Sequence, residues 1–169
     1  MSQKYSLKNN GNGYLIAQLL ESQGETELAT QIKQLSDAIN INYANAIQQR
    51  SSALKSSFQN KTIGGPFKYL KNTLEKFVNQ FTRKSNVPES EFQLKLAGWY
   101  FDNRRYATGY ITLAEAIITY VCEINHRDIR IKDERYEMKD FLFQGDNRNS
   151  RLTKLFNQVN PIRNSIAHA

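Results

Sequence analysis

One cysteine, Cys122, and two histidines, His126 and His168, are all that this 169-residue chain holds of its most reactive and metal-loving residue types. A single thiol excludes an internal disulfide and fits a reducing compartment. Cys122 stands between Val121 and Glu123 in a largely apolar stretch, so it reads as a buried structural thiol. No H-E-x-x-H or C-x-x-C spacing exists to hold zinc, and no P-loop or G-x-G-x-x-G follows a strand. Gly11-Asn12-Gly13 and Gly64-Gly65 read as turns, and no serine triad is suggested. No cofactor or metal is expected. No apolar run near the length of a membrane span is visible, and Met1 to Asn12 is polar, without the apolar core of a signal peptide. A cytoplasmic protein that does not enter a membrane is therefore expected.

What is present is helix. With 40% hydrophobic residues the chain can bury a proper core, and one domain over 1–169 with no internal boundary is expected. Gly13 to Gln23 supplies Leu15, Ile16, Leu19 and Leu20 at helical spacing. A long pattern from Glu25 to about Gln59 follows and ends at Gly64-Gly65-Pro66. Phe67 to about Lys84 forms the next helix, broken at Ser85-Asn-Val-Pro88. Glu89 to Phe101 is the fourth. The most apolar stretch, Arg104 to Asn125, presents Tyr110, Leu113, Ile117, Tyr120, Val121 and Ile124 and is expected at the centre of the core. Asp133 to Phe143 and Asn147 to Gln158 complete an all-α bundle, with Gln144-Gly145-Asp146 as turn and N-cap between them.

A net charge of +7 points to an acidic partner, and nucleic acid is the commonest. Arg104-Arg105, Arg127-Arg130-Lys132 and Arg148-Arg151-Lys154 are local clusters, either solvated helix faces or phosphate contacts. The last precedes the most informative stretch, Pro161-Ile-Arg-Asn-Ser-Ile-Ala-His-Ala169. Asn160-Pro161 reads as N-cap and first residue of a short helix. Arg163 then falls in its first turn, where a cation opposes the helix dipole, so a use other than helix preference is indicated: an anion site of guanidinium and free N–H groups. Val159, Ile162 and Ile166 form an apolar stripe, while Asn164 and His168, four apart, share a face. Arg163 and His168, five apart, are separated by roughly 140° and roughly 7.5 Å along a helix. One helix converges them poorly; two copies about a two-fold axis would surround one phosphate with both pairs.

The segment Arg163-Asn164-Ser165-Ile166-Ala167-His168 resembles the R-x4-6-H motif of HEPN domains, including the polar residue after the arginine. Leu35-Ser-Asp-Ala-Ile39, Trp99-Tyr-Phe-Asp-Asn-Arg-Arg-Tyr106 and Leu113-Ala-Glu-Ala-Ile117 are similar to segments in the HEPN part of CRISPR-associated CARF-HEPN ribonucleases. The resemblance implies metal-independent cleavage of single-stranded RNA at a composite homodimer site, leaving 2′,3′-cyclic phosphate and 5′-OH ends. It assigns Arg163, Asn164 and His168 to catalysis. Nothing in the chain supplies the alternating strands and helices of a CARF domain, so an isolated or truncated effector is expected, and no residue is assigned to an activating nucleotide.

RNA suits such a site because its 2′-OH is an internal nucleophile, which DNA lacks. A neutral His168 takes the 2′-OH proton, or a protonated one serves the leaving 5′-oxygen, while Arg163 offsets charge building on the phosphate. Asn164 fixes the imidazole and contributes a hydrogen bond. Arg148, Arg151 and Lys154 would extend the phosphate-binding surface. Glu115, in its apolar stretch, is either a core-facing carboxylate with an arginine partner or a solvent-facing one, and reads as structural or orienting in preference to catalytic. His126 reads as a helix C-terminal cation, and Trp99, Tyr100 and Phe101 as core packing in preference to base stacking. Two other readings share the pattern: a non-catalytic RNA-binding or dimerisation module, and a HEPN toxin of a toxin–antitoxin pair.

Overall fold

Eight α-helices and one 3-10 helix, with no strand, make up the described residues, 12–60 and 68–168, of a computed structural model. The all-α expectation holds. Two compact units divide the chain at 84/85, where Ser85-Asn-Val-Pro88 breaks the helical pattern.

The first unit contains α1 (Tyr14–Ser22), α2 (Thr26–Asn40), α3 (Ala44–Asn60) and α4 (Lys68–Phe81), each packed on the next in sequence. Apolar positions at helical spacing supply its buried side chains: Leu20 from α1, Leu28, Ile32 and Ile39 from α2, Ile47, Leu54 and Phe58 from α3, Phe77 and Phe81 from α4. The expected single helix from Glu25 to Gln59 is instead two. Asn42 breaks it in the left-handed region (φ 56°), a conformation Asn tolerates better than most residues. The Tyr43 N–H donates to the Ala38 carbonyl and that of Asn42 to Ile39, at 3.1 and 3.3 Å, which closes a Schellman motif. The chain turns there and leaves Ile41 71% exposed. The Gly64-Gly65-Pro66 stop, Phe67 and the Gly11 end of the first glycine turn lie outside the described residues.

The second unit contains α5 (Glu89–Asp102), α6 (Tyr106–Ile124), α7 (Lys132–Phe141), a 3-10 helix (Gly145–Asn149) and α8 (Arg151–Ala167). Here α6 is the hub, packing on α5, α7 and α8. Its Ala114, Ile117, Val121 and Cys122 join Met138, Leu142, Phe156 and Val159 in one buried cluster. Gly109 lets α5 approach closely, since a Cβ there would stand 2.9 Å from the Phe101 ring. Glu123 of α6 caps α5 from outside it: its Oε1 accepts the N–H groups of Glu89 and Ser90 at 2.8 and 3.2 Å, and Oε2 accepts the Ser90 hydroxyl.

One expectation about α6 changes. Tyr120 and Ile124 are 45% and 53% exposed, while Thr112, Ala116 and Thr119 of the same helix are buried. By length and composition alone α6, with Glu115 and Glu123 in it, would also suffice to cross a bilayer; 44% of that window is buried within the protein. Its buried positions are those of a core helix.

The final helix is the larger correction. Asn160-Pro161 does not start a helix: α8 runs unbroken from Arg151 to Ala167 with Pro161 inside it. The N-cap is Ser150, whose hydroxyl accepts the Thr153 N–H at 3.1 Å, not the expected Asp146. Thr153 is fully buried and ties this cap down by donating toward the Leu142 and Asn147 carbonyls. A proline at 161 forgoes a backbone hydrogen bond within the helix, and packing of Phe156 and Val159 holds the helix through it.

Candidate functional site

Because α8 begins twelve residues before it, Arg163 is not in a first turn, and neither the free N–H groups nor the dipole argument applies to it. What surrounds Arg163 is made of side chains. Its Nη2 donates to Glu115 Oε1 of α6 at 3.3 Å, and its Nη1 to Asn164 Oδ1 at 3.1 Å. The other Glu115 oxygen accepts from Arg135 Nη2 of α7 at 2.5 Å. Arg135 is anchored further by Thr119 Oγ1 and the Ile129 carbonyl, at 3.1 and 3.3 Å. Glu115 thus bridges two arginines from two helices, the orienting role with an arginine partner that its sequence position suggested.

Glu115, Arg135 and Arg163 line a cleft of about 320 Å³ between α6, α7 and α8. Arg130, Lys132 and Lys139 join Arg135 and Arg163 on its walls, and Glu115 is the lone carboxylate among its lining residues. In the sequence Arg130 and Lys132 stand out only as part of a cluster, and Arg135 and Lys139 do not stand out at all. The signal was available: Lys132, Arg135 and Lys139 stand three and four apart and so share one face of α7. What could not be read was that α6 and α8 would turn Glu115 and Arg163 toward that same face.

The other selected residues are distributed differently. Asn164 is half-buried and its amide oxygen serves Arg163 rather than the imidazole. His168 is exposed at the C-cap of α8, its N–H donating to the Asn164 carbonyl at 3.2 Å, and is not among the cleft residues. Arg148, Arg151 and Lys154 are all exposed. They occupy the 3-10 helix and the first turn of α8, so Arg151 is roughly 18 Å from Arg163 along the helix axis. Of the apolar stripe, Val159 is buried, Ile166 half-buried and Ile162 39% exposed. Among the described residues no three His, Cys, Asp or Glu side chains are grouped as a metal ion would require.

A second, larger cleft in this unit, about 720 Å³, is apolar and is walled by Leu94, Ile117, Tyr120, Ile124 and Leu155 of α5, α6 and α8. Several of these are the exposed hydrophobic residues of the unit. Cys122 is buried, and burial pushes its thiol above the usual range, as a structural cysteine requires. His126 occupies the left-handed position after α6 (φ 54°), closing that helix as the Arg127 N–H reaches the Cys122 carbonyl. Tyr100 is fully buried, and burial raises its phenol well above the usual range, which identifies it as core and not a stacking platform.

Comparison with known proteins bears on both units. The chain is 31% identical to CRISPR-associated protein MJ1674 of Methanocaldococcus jannaschii over 177 aligned residues, which take in 98% of this chain. It spans 26% of the length of that relative. No solved structure matches. Residues 3–88, just over half the chain and nearly coextensive with the first unit, match the family described as CRISPR-associated protein MJ1674, second domain. The chain therefore belongs to this family of CRISPR-associated proteins.

Proposed function

We propose that this chain is a metal-independent endoribonuclease of HEPN type acting on single-stranded RNA in CRISPR defence. The observation that carries the reading is the placement of Arg163, first residue of the R-N-x-x-x-H motif, in a cleft lined by five cations and one carboxylate. Such a cleft suits a polyanion. Arg163, steadied by Glu115 and Asn164, is set to stabilise negative charge that grows on a phosphate as the 2′-OH attacks. His168, at the exposed helix end, is the acid or base.

Because Arg163 faces the cleft and His168 lies outside it, completing the site calls for the helix end of a second copy. A two-fold pairing of α8 ends would bring His168 of each copy to the Arg163 of the other. The half-exposed Ile162 on α8 offers apolar surface for that pairing.

The test is cleavage of a labelled single-stranded RNA in EDTA by the wild-type chain, Arg163→Ala and His168→Ala, with the product ends mapped. Cleavage by the wild type alone, leaving 2′,3′-cyclic phosphates, supports the proposal. The separation of His168 from the cleft also favours a second reading, an RNA-binding module without catalysis. Equal binding without cleavage by all three chains would select it.

A further inference from the structure

We propose that the cleft between α6, α7 and α8 is a binding site for backbone phosphates of a single RNA strand, reaching beyond the motif residues to Arg130, Lys132 and Lys139. The choice of RNA as the source of those phosphates rests on the functional reading above. The site itself rests on geometry and charge. Five cations from three separate segments converge on about 320 Å³, and one carboxylate opposes them, which leaves four positive charges in excess. That volume is at the lower end of ligand-binding clefts and holds about one nucleotide.

The cations divide by what already engages them. Glu115 takes a hydrogen bond from each of Arg135 and Arg163, and this fixes both guanidiniums while leaving other N–H groups of each to face a ligand. By contrast, the side chains of Arg130 and Lys139 form no ion pair among the described residues, although carboxylates are plentiful on α7, at Asp133, Glu134, Glu137 and Asp140. Arg127 pairs with Glu137, and Glu134 accepts the Asp128 N–H, so two of these four carboxylates are engaged elsewhere. A lysine and an arginine left without counter-charge beside two preset guanidiniums make a phosphate site that is already organised before the ligand arrives. Tyr136, exposed beside the cleft with Lys132 Nζ 5.6 Å from its ring, is placed to stack a base.

The experiment measures binding of a fluorescent single-stranded RNA, 2′-O-methylated throughout so that it cannot be cut, to the full chain across a range of salt. The cleft variant Arg130→Gln/Lys139→Gln is compared with Lys76→Gln/Lys84→Gln, which removes the same charge from exposed positions of the first unit. The cleft pair is expected to weaken binding roughly tenfold and to lower the salt slope by about 1.4, while the control pair changes binding less than about twofold. Equal weakening by the two pairs would overturn the site and leave only general charge attraction. Competition by ATP at lower concentration than unlabelled RNA would overturn the strand assignment, because the cleft would then be built for a free nucleotide. Loss of cleavage by Arg163→Ala with unchanged binding by the cleft pair would leave the ribonuclease reading intact and remove this one. The converse result, selective loss of binding with no cleavage of ordinary RNA, would retain the cleft and remove the ribonuclease.

Discussion

Glu115 Oε1 lies 3.3 Å from Arg163 Nη2 across the α6–α8 contact, and this is the bond that sets the direction of the motif arginine. The two residues are 48 positions apart in sequence. Both side chains are about one-third exposed, so the bond orients more than it stabilises.

Replacing Glu115 by Gln should therefore affect ligand and fold differently. The amide turns one donor toward an arginine that needs an acceptor, and unfolding in urea should show a loss of about 1 kcal/mol. Removing the lone negative charge from the cleft wall should at the same time tighten binding of uncleavable RNA by roughly threefold at low salt, with the gain fading as salt rises. Weaker RNA binding by this variant would contradict the assigned polarity of the cleft.

Pro161→Ala separates a helix interior from a helix start. At a first helical position the exchange is nearly neutral, because the missing N–H has no partner to lose. Inside α8 it restores a hydrogen bond and relieves the ring, so stability should rise by about 1–3 kcal/mol in urea titration. An unchanged midpoint would argue for a break at 160.

His126→Gly should also stabilise. The residue closes α6 at φ 54°, where a side chain is disfavoured and glycine is not. The expected gain is about 0.5–1 kcal/mol, less than the full backbone strain because glycine adds entropy to the unfolded chain. Thermal or urea unfolding of the variant measures it.

Cys122 should be chemically silent in the native protein. Burial raises its thiol, so the thiolate is scarcer at any given pH than in a free cysteine, and access is blocked as well. A disulfide reagent at pH 8 should label the native protein much more slowly than the protein in denaturant, where the thiol is solvated and accessible. Rapid native labelling would show that α6 opens.

Much of this protein is legible in its residues one at a time. Apolar spacing places five of the helices, α1, α4, α5, α6 and α7, to within a few residues, because burying a stripe every 3.6 residues is a local demand on the chain. It also marks the Ser85–Pro88 break, the buried Cys122 and the importance of α6. The rest depends on which neighbour wins. Asn42 split one expected helix in two because its left-handed turn docks α3 back onto α2. Asn160-Pro161 carries the local signs of a helix start, yet Phe156 and Val159, packed against α6, carry α8 through it. The same packing moved Arg163 from a helix N-terminus to the wall of a cleft. Sequence could place cations on one face of α7, since helical periodicity does that. Only the tertiary structure could set that face against Glu115 and Arg163, because their meeting is fixed by how three helices pack and by no spacing within any one of them.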